Sequence, residues 1–436
     1  DWSSRRVLFR SHCRERKEKM PENMEKLKNS LHKIYGESEK SYARYTALAQ
    51  KYREYFQKEG TEYFTSPGRM ELIGNHTDHN GGKVLAASIQ MDTIAAAWPN
   101  QSEKVTIVSE GYDKPFVLDL EDLGSISVNN GTLALLAGLF RGCRSFGFRI
   151  HGFNACISTN VLSAAGVSSS ASFEMLLCAV INYFFNDNRM TSIDYAKIGR
   201  YAENHFWNKQ SGLMDQLACA AGGMIFLDFS NSDFPCVEKT DPALMLEGYD
   251  ILLVNTGKGH GDLSAEYSDV PLEMKNAAKQ MGKNLLCEAK LPLLLDKLPE
   301  IRAHCGDRSF LRSLHFYEEN ERVQTAKEAI RNGNTEELLA LIGDSGNSSW
   351  KYLQNCYTPS DTREESVCTA LALTELFIKK TGRGTCRVHG GGFAGVILSI
   401  LPAEATEEYI RYMSRFTEKE NIFRISLRNT GAVHVE

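Results

Sequence analysis

No apolar run in the 436-residue chain approaches the roughly 20 residues needed to cross a bilayer. The best candidate, FEMLLCAVINYFF over 173–185, is short and carries Glu174 and Asn182, which marks it as a buried helix. There is no basic excess either: 50 Lys and Arg against 55 Asp and Glu leave a net charge of −5. A general nucleic-acid or membrane-surface binder carries the opposite balance and is excluded. No two cysteines stand close at metal-ligand spacing. The eleven are scattered singly from Cys13 to Cys386, and this odd number reads as reduced thiols, mostly small core residues, in a cytoplasmic protein. Internal repeats are missing, and so is a Gly-x-x-x-x-Gly-Lys-Ser/Thr phosphate loop.

What is present suits a sizeable enzyme. The 42% hydrophobic content is enough for one large or two medium cores, and two domains are expected. The amino-terminal stretch DWSSRRVLFRSHCRERKEKM is Arg-rich without the apolar centre of a secretion signal. Met20 is expected as the natural start, with the residues before it a remnant or a misassigned leader; Glu15 and Glu18 speak against a transit peptide. From Pro21 to about Gly60, Leu27, Leu31, Ile34, Tyr45, Leu48, Tyr52 and Phe56 recur at helical spacings, a structural entry to the first domain. Beyond it strand and helix signals alternate. KVTIVSEG, FVLDL and DILLVNTG (250–257) read as strands, as do AGVILSIL and FRISLR near the end. ERVQTAKEAIRNGN places Val323, Ala326 and Ile330 on one helical face and stops at Gly333; Thr362 and Glu365 suggest a capping box for a helix to about Lys379. The arrangement is α+β with a joint near Thr240 to Gly248.

Four stretches carry chemistry. SPGRMELIGNHTDHNGG (66–82) holds an arginine, two histidines, an aspartate and four glycines without helical periodicity. LSAAGVSSSASFEMLL places Ser168, Ser169 and Ser170 between Gly166 and an apolar helix, where free amides at the positive end of the dipole suit a phosphate; a plain serine cap fits the same residues. In YAENHFWNKQSGLMDQLACAAGG, Glu203 and Asp215 lie twelve residues apart around Gly212. Two carboxylates in apolar surroundings point to one metal ligand and one base, the alternative being an N-cap and a solvent-facing acid. Gly390, Gly391 and Gly392 precede a strand, either for close approach to a ligand or for a tight turn.

In this order the four stretches resemble the superfamily of galactokinase, homoserine kinase, mevalonate kinase and phosphomevalonate kinase, the GHMP kinases. Over roughly residues 45–436 the galactokinase family is the nearest branch. Its signature agrees at Pro67, Gly68, Arg69, Leu72, Ile73, Gly74, His76, Thr77, Asp78, Asn80, Gly81 and Gly82, and HGDLSAEY (260–267) resembles its sugar-contacting tyrosine segment. The resemblance implies the two-domain GHMP-kinase fold: after an N-terminal extension over 1–40, partly helical, a ribosomal-protein-S5-like domain over 41–245 and a ferredoxin-like domain over 246–436, with the site in the cleft between them. It implies ATP and Mg2+ as cofactors, a small-molecule sugar as substrate, no nucleic acid or membrane partner, and a monomer or weak homodimer. By the same resemblance Asp215 is the base and Arg69 the charge stabiliser. Asn75, His76, Asp78, Gly212 and Tyr267 form the sugar pocket, Gly166, Val167, Ser168, Ser169, Ser170 and Ala171 cradle ATP, and Ser170 and Glu203 hold magnesium.

Several departures bear on the substrate. Asn75 and His79 stand where the family has glutamate and tyrosine, and the lost glutamate is the one that contacts the sugar's sixth carbon hydroxyl. An amide there would not repel a sugar acid, which makes galacturonate the rival to galactose. The galacturonate kinases of plants also lack that glutamate and carry an Asp-His pair in this segment. Ala164 and Ala165 replace usual glycines, and Val270 replaces an arginine, a change without an account. A second rival is a non-catalytic sugar- and ATP-sensing regulator, although such relatives lose residues of the serine loop that this chain keeps.

Overall fold

A computed structural model of the chain describes residues 24–129, 131–162, 166–207, 209, 211–231, 234–240, 246–257, 264–358, 363–393 and 395–436. The expected start at Met20, Ala164, Ala165, His260 and Thr362 lie outside them.

Helices α1 (24–35) and α2 (Glu39–Phe56) open the described chain. An eight-stranded sheet comes next, built from β1 (Glu62–Ile73), β2 (Lys83–Pro99), β3 (Lys104–Ser109), β4 (Phe116–Asp119), β5 (Phe153–Thr159), β6 (Met224–Asp228), β7 (Cys236–Thr240) and the chain's last strand. All its pairings are antiparallel except β3 with β5. The 17-residue β2 serves two neighbours, its first half pairing with β6 and its second with β5. Side chains alternate across β2 and β5, as a pleated strand requires. Ala95, Ala97, Ala155 and Ile157 pack under α3 (Thr132–Ser145), α4 (Ser169–Phe185) and α5 (Ser192–Phe206), while Ile94, Ala96 and Cys156 face α1 and α2. Leu27, Leu31, Tyr45, Leu48 and Tyr52 supply the helical side of that second layer, so the expected entry helices complete the core.

A short α6 (Met214–Ala221) precedes β6. The four-stranded second sheet runs in the order β11-β8-β10-β9, from β8 (Tyr249–Asn255), β9 (Thr385–His389), β10 (Val396–Pro402) and β11 (Ile422–Ile425), all antiparallel. Between β8 and β9 the chain forms α7 (Ser264–Gln280), α8 (Leu291–Asp296), α9 (Leu298–Cys305), α10 (Asp307–Arg331), α11 (Thr335–Ser348) and α12 (Ser366–Thr381); α13 (Thr406–Met413) comes after β10. Ile251, Leu253, Val396 and Leu398 pack inward against Met70, Leu72 and Leu85 of the first sheet and against Val323, Ala326 and Ile330 of α10. Leu252, Val254 and Ile397 turn the other way, under α12 and α13.

One sequence reading changes. Glu365 is itself the N-cap of α12 and its side chain makes no cap bond, so it is not the inner acid of a capping box. The last strand, β12 (Val433–Val435), pairs with Tyr63–Thr65 at the edge of the first sheet. There Arg428, fully buried, bonds Asp92 of β2. Seven of the ten described cysteines are buried free thiols. None of the described helices is long and apolar enough to cross a membrane.

Candidate active site

Register shifts between β1 and β2 flank Arg69, between Pro67 and Arg69 and between Glu71 and Ile73. Bulges of this kind re-aim side chains, and here Arg69 and Glu71 both line one cleft. Gly68 permits the approach of the serine loop, since a Cβ on it would stand 2.8 Å from the Val167 carbonyl oxygen. The Arg69 amide donates to that oxygen, and its Nη1 donates to the Gly166 carbonyl.

Arg69 and Asp215, 146 positions apart, meet in the cleft: Nε and Nη2 of the guanidinium lie 2.9 and 2.8 Å from Asp215 Oδ1. Asp215 sits in the first turn of α6, where the helix dipole favours an anion. Burial pushes its carboxyl up, but Arg69, Lys209 and the Ser168 hydroxyl more than offset this and hold it below the ordinary range. Ser168 takes a left-handed conformation, φ 59° and ψ 57°, and donates its hydroxyl to Asp215 Oδ2 instead of capping α4. The amides opening α4 therefore have no side-chain cap, and a plain serine cap is not formed.

The loop after β1 forms the opposite wall. His76 adopts φ 58° and donates from Nε2 to the Gly391 carbonyl 2.9 Å away; its ring lies 5.1 Å from that of Tyr267. Burial and neighbouring His79 lower its imidazole to about 3, so it is neutral. Asp78 accepts from the His79 amide at 2.9 Å, and its other oxygen rests over Gly212, where a Cβ would come within 1.8 Å. Gly391 likewise leaves room for the Tyr267 ring. Asn75 lines the cleft, yet its amide is engaged on both sides. Nδ2 donates to Glu71 Oε2 and the Gly390 carbonyl, and Oδ1 accepts from Asn355 Nδ2 at 2.7 Å.

Glu71 and Lys209 are cleft residues that the motifs did not reveal. Glu71 holds a carboxylate beside the amide of Asn75, and burial raises its pKa against the opposing pull of Arg387. Arg387 is ion-paired to Glu71, its Nη2 3.0 Å from Oε1 without a hydrogen bond, while its Nε donates to the Val388 carbonyl and its Nη1 to the Leu72 carbonyl and Ser345 Oγ. The only signal for either residue was a single charge between uncharged neighbours, at Met70-Glu71-Leu72 and Asn208-Lys209-Gln210.

Glu203, in the last turn of α5, is fully buried. Its Oε1 accepts from Ser170 Oγ at 3.0 Å and Lys209 Nζ at 2.7 Å, its Oε2 from Ser211 Oγ and Gln216 Nε2. Ser170 and Glu203 are thus together, a hard oxygen pair. As oxygen donors they fit a hard divalent cation such as magnesium. Among the described residues no cluster of three or more His, Cys, Asp or Glu forms a protein-only metal cage.

An α+β fold of two sheets, with an arginine–aspartate pair beside a serine loop that opens a helix, suits a phosphotransferase. Comparison with known proteins agrees. Residues 50–99 match the galactokinase galactose-binding signature and 132–223 the GHMP kinases N terminal domain. The chain is 32% identical over 374 residues to a galactokinase of Limosilactobacillus fermentum, covering 83% of this chain and 90% of that protein. It is 29% identical to one of Lactococcus lactis subsp. lactis, covering 86% and 92%. The crystal structure of Lactococcus lactis galactokinase complexed with galactose superposes with a TM-score of 0.77 at 25% identity, covering 89% of this chain and 99% of that one. Methanococcus jannaschii mevalonate kinase shares the fold at a TM-score of 0.58. The chain belongs to the galactokinase family of the GHMP kinases. It is a sugar 1-kinase that uses ATP.

Proposed function

We propose that the protein transfers the γ-phosphate of ATP to the anomeric hydroxyl of galactose, giving galactose 1-phosphate and ADP. The meeting of Arg69 and Asp215 beside the Ser168 loop carries this reading. Asp215, ionised at neutral pH, accepts the hydroxyl proton as the sugar oxygen attacks the γ-phosphorus and the bond to the β-phosphate oxygen breaks. Arg69 stabilises the charge that develops on the transferred group. Gly166, Val167 and Ala171 contribute backbone, and Ser168, Ser169 and Ser170 hydroxyls, to the phosphate cradle at the start of α4. Ser170 and Glu203 would hold a magnesium ion, which would neutralise phosphate charge. His76, Asp78 and Tyr267 grip the sugar over Gly212, with Asn75 behind them. Residues 41–245 and 246–436 are taken as the two domains of a cytoplasmic enzyme, β12 returning to the first.

Galactose is favoured over galacturonate by the chemistry of the wall. The Asn75 amide is engaged, Arg387 is fully buried and ion-paired to Glu71, and the charge nearest the Asn75 amide is therefore a carboxylate that would repel a sugar acid. The retained Arg69, Asp215 and serine loop speak for an enzyme over a regulator. The test is ATP consumption with galactose, galacturonate, N-acetylgalactosamine, glucose and arabinose, with the product identified by phosphorus NMR. Galactose should give the highest kcat/KM, and Asp215→Asn should lower kcat on the order of 100- to 10,000-fold. Preference for galacturonate would replace the substrate reading, and binding without turnover would make the protein a regulator.

A further inference from the structure

We propose that Lys209 is a phosphate-recognising residue whose ammonium, held on Glu203 in the nucleotide-free protein, engages the terminal phosphate of ATP. The proposal rests on the kinase reading above.

The lysine stands in the connection between α5 and α6, and its side chain lines the same cleft as Arg69 and Asp215. Its Nζ contacts Glu203 Oε1, the oxygen that also accepts from Ser170 Oγ, so the ammonium is two hydrogen bonds from the start of α4. The partner carboxylate is fully buried, whereas the lysine side chain is 36% exposed and open toward the cleft. Glu203 does not depend on it: Ser170, Ser211 and Gln216 supply three other donors. The ammonium can therefore leave without stripping the carboxylate of hydrogen bonds.

Charge in the cleft argues the same way. Among the described residues Arg69 and Lys209 are the arginine and lysine of its wall, against Glu71, Asp78 and Asp215. Arg69 is already engaged, with Nε and Nη2 on Asp215 and Nη1 on Gly166. A polyphosphate entering such a wall meets net repulsion unless a cation is free to turn toward it. A lysine suits that task, having a compact charge on a flexible four-carbon stem with three donors, where an arginine fork would be fixed to one geometry. The Lys209 ammonium also lies over the ring of Trp207, 5.6 Å from its centroid.

The proposal separates ATP from ADP, because only ATP offers the terminal group. Equilibrium titration calorimetry with ATP and with ADP, each with excess chelator and again with Mg2+, is run on the native protein, Lys209→Met and Lys209→Gln. The glutamine variant keeps a donor for Glu203 and guards against a variant that fails to fold. Without metal, native protein should bind ATP more tightly than ADP, and both variants should lose on the order of 10- to 100-fold in ATP affinity with ADP affinity nearly unchanged. An equal loss for both nucleotides, or no loss, would overturn the proposal and leave Lys209 a counter-ion of Glu203. Native protein that binds neither nucleotide would overturn the kinase reading with it.

Discussion

Replacing Gly212 by alanine should uncouple sugar binding from nucleotide binding. An added Cβ would stand 1.8 Å from Asp78 Oδ2 and 2.6 Å from its Cγ. Ordinary contact between non-bonded heavy atoms is about 3.5 Å, so the carboxylate must retreat by roughly 1.7 Å. It has little freedom to do so. Its side chain is 10% exposed, and its other oxygen is held by the His79 amide. Displacement of this size would remove its bonds to sugar hydroxyls, and a charge-assisted bond contributes about 1.5 to 3 kcal/mol, or roughly 10- to 100-fold in affinity. Calorimetric titration with galactose should show that loss, while the ATP affinity, set at the far wall, should change by less than about twofold. A double-mutant cycle isolates the cause. In an Asp78→Ala background the added methyl meets open space, and its further effect should fall below about 0.5 kcal/mol. Unchanged galactose affinity in Gly212→Ala, or full additivity in the cycle, would refute the assignment of Asp78 to the sugar.

Asp92→Ala should cost about 3 to 5 kcal/mol in urea unfolding, because it leaves Arg428 fully buried without its counter-charge. Burial raises the Asp92 carboxyl, but Arg428, Arg44 and the Thr65 and Tyr35 hydroxyls hold it below its unfolded value; its contribution is therefore present above about pH 4 and lost as pH falls through the folded pKa. The stability gap between native and variant should narrow in acid, and a constant gap would refute this. Asn75→Glu should remove donors from Glu71 and Gly390, set two carboxylates together, and lower stability by about 1 to 3 kcal/mol without raising the kcat/KM preference for galactose over galacturonate. A shift toward galactose of about tenfold would show that this side chain reads the sugar directly.

How much of the molecule is legible in its sequence depends on the range of each interaction. Arg69, Ser168 and Asp215 are readable because each sits in a short segment whose composition fits one task, and their convergence across 146 positions is then implied by resemblance and not by spacing. Glu71 and Lys209 are not, since a single charge between ordinary neighbours carries no pattern. The place of Asn75 in the signature marks it as a sugar contact. The bonds that engage it come from Asn355 and the Gly390 turn, 280 and 315 positions away, which no local window contains. The strands near 104–119 and 250–257 are legible from their β-branched and apolar runs ended by turn residues. The cap of α12 is not, because a threonine and a glutamate at the right spacing do not specify which of them begins the helix.

The pairing of β12 with β1 has a consequence for manufacture in the cell. On the ribosome, the edge of Tyr63–Thr65 must wait for Val433–Val435, some 370 positions later, before its ladder is closed, and Asp92 must wait 336 positions for Arg428. Through most of translation the nascent first sheet carries an open margin, and Asp92 has Arg44 of α2 but not yet Arg428, so maturation is deferred to the end of synthesis and a chaperone that shields that margin should raise the yield.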